Sequence, residues 1–463
     1  MNSILPLSGT AQAELIRTGE VSSRELVELH LARIAEVNPA LNAVVDIWAE
    51  TALQSADVAD TRRGQGRELR PLEGVPFSVK DSIEVAGTVC TAGTLGYRNN
   101  PASTRDAALV AKLRAAGAIP LAHTNLPDLL FAFESDNLFR ERTNNPYDLM
   151  RTAGGSSGGE AALLASCGSP FGLGSDAAGS VRLPAHYCGV ASLKPTSGRL
   201  ARTGHVPPPG GWIETLWQIG PMARRVQDLI TMLPLLITPD GEDRTHVPMP
   251  PGVAPPLNQL RVAFFTDNGI LAADPATAAT VRNAALALQR AGASVEERRP
   301  AAIEQSYDLE MRFLGPDGGD GLRTFCQAIG SHQTHPLLDG WLAKLEQHRT
   351  DVTGFAALWA EIDAFRAEMF GYLKTCDVLL SPVAAHPAVP HGHTIHDDVF
   401  PGFSYTMTHN LTGWPAAVVR CGTSPEGLPI GVQIAAAPWR EDITLAVALF
   451  LEETLGGWQP CPD

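Results

Sequence analysis

Hydrophobic and polar positions repeat with two periods along the chain. Val27, Leu31 and Ile34 recur at +4 and +3, and Ser22-Ser23-Arg24-Glu25 precedes them with capping-box spacing. This predicts a helix that Asn38-Pro39 ends. Residues 51–70 read as a second helix grading into a charged, Gly-containing loop. A short strand follows at 75–79, then a helix at 106–116 ended by Gly117, then a strand at 119–122. After Arg224 the same rhythm returns: strand 260–266, helix 275–291 and strand 293–297. Residues 303–375 read as mostly helical. The remainder reads as strands 378–381, 416–421 and 430–435, with a helix from Asp442. Strands alternating with helices predict an α/β fold with a mixed sheet.

Residues 150–200 break the pattern. Small residues dominate, and periodicity is nearly absent outside 160–166. The Pro-rich stretch 247–256 is the best candidate for a connection, and it reads as a surface loop within one domain.

Composition narrows the picture. Hydrophobic residues make up 44% of the 463 and charged residues 18%, which excludes a disordered chain. The formal net charge of −15 argues against a nucleic-acid partner. The seven cysteines are scattered without CxxC spacing, so a zinc knuckle or redox motif is not expected. The N-terminus does not read as a signal peptide, and no apolar run reaches membrane-spanning length. A reduced, cytoplasmic protein with no membrane association is the expectation.

The 43 Gly and 36 Pro show no collagen-like period, so the small-residue block needs its own explanation. Gly154-Gly155-Ser156-Ser157-Gly158-Gly159 is followed by Glu160 rather than by Gly-Lys-Ser/Thr, and a carboxylate there would repel phosphate. The other explanation is a backbone that offers serines and N–H groups to a reacting carbonyl. Asp176-Ala177-Ala178-Gly179-Ser180 is a second such run, whose successive N–H groups can converge on an oxyanion. A serine nucleophile needs a base. His186 follows Ser180 by six residues, but no familiar Ser-His-Asp order surrounds it. A desolvated lysine is the other option, and Lys80 ends the apolar run of the strand at 75–79.

Gly74-Val75-Pro76-Phe77-Ser78-Val79-Lys80-Asp81 and the block 154–185 together resemble the amidase signature family of bacterial amidases and fatty acid amide hydrolase-like enzymes. Ser192-Leu193-Lys194-Pro195-Thr196, Gly220-Pro221-Met222-Ala223-Arg224, Asn410-Leu411-Thr412-Gly413-Trp414-Pro415 and 427–433 fit as well. The resemblance runs from about residue 10 to the end and is weakest over 245–370. It implies one amidase signature domain over 1–463, with a core at about 74–224 and a variable, substrate-shaping region at about 245–370. It also implies a large, mixed, mostly parallel β-sheet flanked by helices on both sides.

By the same resemblance, Ser180 is the nucleophile, Ser156 the bridging serine after a cis peptide, and Lys80 the base. The backbone N–H groups of Ala177, Ala178, Gly179 and Ser180 form the oxyanion hole. Ser157, Asp176 and Arg182 support the loop. One departure is Ala178, where the family commonly has glycine; its methyl bears on substrate shape. The resemblance implies no cofactor and no metal. The substrate is a small-molecule amide, anilide, carbamate or ester, with a urethanase or nylon-oligomer hydrolase as alternatives using the same triad. A glutaminase-like component of a tRNA amidotransferase is a further alternative, which 199–205 does not favour.

His386, His391, His393 and His396 lie among Pro387, Pro390 and Gly392 and read as a surface loop rather than a metal site. Cys326 reads as a buried structural thiol. Trp212, Trp217, Phe131 and Phe133 are candidates either for an acyl pocket or for ordinary core packing.

Overall fold

A computed structural model describes residues 3–208 and 210–462. Its strands in chain order are β1 (Val44–Ile47), β2 (Pro76–Lys80), β3 (Ile119–Thr124), β4 (Asn144–Asn145), β5 (Asp148–Thr152), β6 (Phe171–Asp176) and β7 (Ala191–Lys194). There follow β8 (Gln218–Ala223), β9 (Arg261–Phe264), β10 (Ser294–Glu297), β11 (Val378–Pro382), β12 (Ala416–Thr423) and β13 (Pro429–Ala436). Eleven of them form one sheet in the order β1-β3-β2-β6-β8-β7-β12-β13-β11-β9-β10, and β4 and β5 make a separate hairpin.

The sheet is mixed and flanked by helices, as expected. Parallel pairs do not dominate it. They are confined to two blocks, β3-β2-β6 and β11-β9-β10. The middle of the sheet and the β1 edge run antiparallel, which makes six of the ten neighbouring pairs antiparallel. Strands on both sides of 247–256 belong to this one sheet. The Pro-rich stretch is a surface strap, pinned where Arg199 donates to the carbonyl of Met249 at 2.7 Å.

Side-chain alternation places the core. Phe77 and Val79 pack with Leu173, Ile219 and Val432 in the largest apolar cluster. Ser78 and Lys80 therefore point to the other face, beneath the helix Gly158–Ala165. All five β2 residues are buried, because β2 lies inside the sheet with both faces covered. Among the described residues no helix is long and apolar enough to cross a membrane.

Several elements differ from their expected limits. The capping box at Ser22 forms, but Asn38-Pro39 does not end the helix, which spans Ser23–Leu41. Pro39 gives up the one bond its N–H would make to Ala35, and only two helical residues follow it. The chain turns at Asn42 instead, in the left-handed region. The next helices are Ala49–Gly64 and Ala108–Ala115. Asp106 stands outside the latter because its carboxylate accepts from Ala86 N at 2.8 Å and pairs with Arg114. Residues 303–375 hold four α-helices, Ser306–Leu314, Asp320–Ala328, Pro336–Glu346 and Val352–Tyr372, in keeping with their helical pattern.

Arg224 ties the N-terminal segment to this frame. Its buried guanidinium donates to the carbonyls of Leu164 (2.9 Å), Ser169 (2.8 Å), Leu5 (2.6 Å) and Leu7 (3.0 Å). Replacing it by leucine takes the donor from the Ser169 and Leu5 carbonyls, at about 1–3 kcal/mol for each that stays buried, while Leu164 keeps Cys167 N–H and Leu7 keeps Gln12 Nε2. Arg224→Leu is expected to lose at least about 2 kcal/mol, read as a lower urea midpoint.

Candidate active site

Lys80 ends β2 with no exposure to solvent. Its Nζ donates to Ser156 Oγ at 2.6 Å and to Ser175 Oγ at 3.1 Å. Burial lowers its pKa to about 7, although Asp176 and Glu160 oppose the shift. Glu160, two residues into the helix Gly158–Ala165, is fully buried too, and burial raises its pKa to about 7. Ser78 and Thr124 both donate to its carboxylate.

Ser156 follows the cis peptide Gly155-Ser156, in the loop that leads into this helix. Ser157 carries on the same loop. Its N–H donates to the carbonyl of Ser180 at 3.1 Å, and its hydroxyl donates to the carbonyl of Ser175 at 3.3 Å. The second small-residue run is thereby stitched to the first.

Asp176 and Arg182 shape that second run. Arg182 meets the Asp176 carboxylate with two nitrogens, at 3.0 and 2.8 Å, and both side chains are fully buried. Burial alone would raise the Asp176 pKa; Arg182 and Asn410 reverse this and hold it well below the usual carboxylate range. Arg182 also donates to Thr406 O and to Gln433 Oε1, each at 2.8 Å. The late motifs at 410 and 433 thus lock the loop that carries Ser180.

The four expected oxyanion donors are not equivalent. Gly179 N–H donates to Asp176 Oδ1 at 2.9 Å and is already engaged. Ala177, Ala178 and Ser180 have no protein acceptor for their N–H groups among the described residues. The Ala178 departure falls where the backbone does not need glycine. Gly179 has φ +126°, and a Cβ there would meet Thr406 Oγ1 at 2.4 Å, whereas Ala178 lies outside the left-handed region.

Ser156, Ser175, Ala177, Ala178 and Ser180 line one pocket of about 890 Å³, a figure that includes open solvent. Ser180 carries no side-chain hydrogen bond among the described residues, so Lys80 and Ser156 are joined and Ser180 stands beside them unlinked. Phe131, Phe133, Trp217, Leu314 and Trp341 supply apolar wall. Trp212 is not part of it; its indole packs on Phe355 and donates to Phe313 O. Leu129 and Leu130 also line the pocket, with φ of 50° and 67°, a left-handed backbone that bulky residues seldom adopt. Cys326 is buried in an adjoining apolar cluster with Leu338 and Leu342.

Two site residues had no signal in the pattern of the chain. Ser175 sits between Lys80 and His205, whose Nε2 is 3.1 Å from Ser175 Oγ. His205 packs against Trp217 with ring centroids 4.4 Å apart and the planes tilted by 41°. The histidines at 386–396 divide. His386 turns inward to Tyr187 and His391 to Glu134, while His393 and His396 stay exposed. Among the described residues no group of three or more His, Cys, Asp or Glu could hold a metal ion.

The chain matches the family model described as Amidase over residues 25–445. The fatty-acid amide hydrolase 2 of Homo sapiens is 32% identical, covering 99% of this chain and 91% of its own length. A glutamyl-tRNA(Gln) amidotransferase subunit from Symbiobacterium thermophilum is 32% identical, covering 96% and 95%. The solved structure of 6-aminohexanoate cyclic dimer hydrolase complexed with substrate superposes with a TM-score of 0.84 at 30% identity, covering 97% of each chain.

Lys80 is expected to titrate near pH 7 rather than at the ordinary lysine value of 10.5. The measurement is the ¹³Cε signal that Lys80→Met removes from a lysine-labelled sample. A midpoint at the ordinary value would mean that water reaches the amine.

Proposed function

The chain belongs to the amidase family, and from that premise we propose that it hydrolyses carbonyl–nitrogen bonds through an acyl-serine formed on Ser180. The observation that carries this reading is the 2.6 Å contact between buried Lys80 Nζ and Ser156 Oγ, beside a pocket that Ser156 and Ser180 both line. A neutral amine at Lys80 takes the Ser156 proton while Ser156 takes that of Ser180, whose Oγ attacks the carbonyl carbon. The relay requires Ser180 Oγ to turn onto Ser156 once a substrate is bound. Negative charge gathers on the carbonyl oxygen, and the N–H groups of Ala177, Ala178 and Ser180 are the donors left to meet it. The proton returns through Ser156 to the leaving nitrogen. Water then attacks the acyl-serine by the same path, releasing the acid and restoring Ser180.

The pocket supports a neutral substrate with an apolar acyl or aryl part. Among the described residues, its only ionisable lining side chains are Asp176 and His205. Arg182 already engages Asp176, and burial lowers the His205 pKa to about 3, which leaves the ring neutral. Glutamine carries an α-ammonium and an α-carboxylate, and no unengaged charge among these residues lines the pocket to read them, so the amidotransferase reading has less support. Carbamates and nylon-type oligomers fit the same apolar walls and the same relay.

A fluorophosphonate is expected to add its mass to the wild-type protein and not to Ser180→Ala; labelling of the variant at another serine would sink the assignment. Lys80→Met should lower kcat about 10²–10⁴-fold. The neutral amine is the active form, so the wild-type rate should be full above pH 7 and fall as pH drops through about 7; a rate flat from pH 6 to 9 contradicts the base assignment. Apolar anilides and amides should outrun glutamine in a hydrolysis panel that also holds carbamates and p-nitrophenyl esters.

A further inference from the structure

His205 lies on the loop before β8, 30 positions from Ser175 in the chain, and reaches back to β6. Its Nδ1 is 3.0 Å from the carbonyl of Pro207. A carbonyl only accepts, so Nδ1 carries the ring proton and Nε2 bears the lone pair. That lone pair is 3.1 Å from Ser175 Oγ and 3.3 Å from Ser82 Oγ. Of these two hydroxyls Ser175 is the closer, and it is the one that meets Lys80.

Ser175 then has one role left toward Lys80. Ser175 gives its hydrogen to His205, so its oxygen faces Lys80 as an acceptor. One Lys80 N–H fills that place. Ser156, the remaining contact at 2.6 Å, receives the second N–H of the neutral amine at rest and meets its lone pair when it gives up its proton. We propose that His205 is a positioning residue which sets the direction of this hydrogen-bond chain and keeps the Lys80 lone pair free for Ser156. The inference rests on the reading of Lys80 as the base.

The surroundings hold the imidazole in that role. Trp217 packs against it at a tilt, and the Arg202 guanidinium lies 4.8 Å over the same indole. The charged groups that bear on the ring are Lys80 from β2 and Arg202 from its own loop, and both disfavour a second ring proton. Those that bear on Lys80 are Asp176 from β6 and Glu160 from the helix Gly158–Ala165.

Without an acceptor at position 205, Ser175 is free to donate to the Lys80 lone pair in competition with Ser156. That competition slows proton removal. It also favours the neutral amine, so the Lys80 pKa falls. A purely structural role for His205 would not move the acid limb in that direction.

The test is the rate of Ser180 labelling by a fluorophosphonate from pH 5 to 10, with folding checked by thermal melting. His205→Phe keeps an aromatic ring on Trp217 and removes the acceptor. It is expected to slow labelling about 10- to 100-fold and to move the acid limb to lower pH. His205→Gln returns an acceptor near the Nε2 position and should regain most of the rate. His205→Phe labelling at the wild-type rate with an unmoved limb overturns the proposal. So does a folded His205→Gln as slow as the phenylalanine variant.

Ser175→Ala cuts the same link at its other end and serves if His205→Phe does not fold. It should slow labelling comparably, and the double variant should be no slower than the slower single. A Ser175→Ala protein labelled at the wild-type rate, or fully additive losses in the double, overturns the proposal. Failure of the underlying reading shows differently: Lys80→Met would then label as fast as wild type, whatever His205 does.

Discussion

A lysine amine held away from water is the constraint on which the rest of this molecule depends. An ammonium in the interior costs several kcal/mol after relaxation, so burial pushes Lys80 toward the neutral form. Keeping it dry requires a strand with neighbours on both edges and cover on both faces, and β2 has these between β3 and β6. Keeping it useful requires partners that can both give and take hydrogen, and the two contacts of its nitrogen are hydroxyls. A carboxylate in direct contact would have fixed the charge. The buried carboxylates Glu160 and Asp176 are instead engaged by Ser78 and Thr124 and by Arg182.

The second constraint is on the backbone around Ser180. A loop of small residues has little side-chain packing to hold its shape, so the shape comes from Asp176. Its carboxylate accepts from Gly179 N–H and Val181 N–H as well as from Arg182. Arg182 passes the restraint on to Thr406, Asn410 and Gln433, far along the chain. The Asp176–Arg182 pair therefore sets the geometry of three unengaged N–H groups. That is a positional task, for which a buried ion pair is better suited than for net stability.

Much of this is legible in the sequence, and the limits are physical. The strand that carries Lys80 shows in its apolar run, and the variable-region helices show in their period. The central strand β6 does not show. Its sequence, Phe-Gly-Leu-Gly-Ser-Asp, does not alternate apolar and polar, because close approach rather than amphipathy selects its residues. A Cβ at Gly172 would lie 2.0 Å from Glu160 Oε1. Lys80, Ser156 and Ser180 are readable from motifs; in the fold Ser156 and Ser180 line one pocket, with Lys80 joined to Ser156. That Gly179 N–H is engaged is not readable, since it depends on where the Asp176 side chain folds back. His205 is hidden for a related reason: its contacts with Ser175 and Trp217 are made across the fold, and nothing local in Thr-Gly-His-Val-Pro marks them.

The apolar wall has a separate origin. Leu314 and Trp341 belong to helices Ser306–Leu314 and Pro336–Glu346, which contribute nothing to the hydroxyl–amine chain around Lys80. Trp341 packs on Phe133 and Phe400, outside the sheet. Mutations accumulating in those helices would reshape what the pocket admits while leaving the reacting groups in register. Substrate repertoire and chemical competence can then drift on separate clocks, and a library confined to these two helices samples new specificities from an intact catalytic frame.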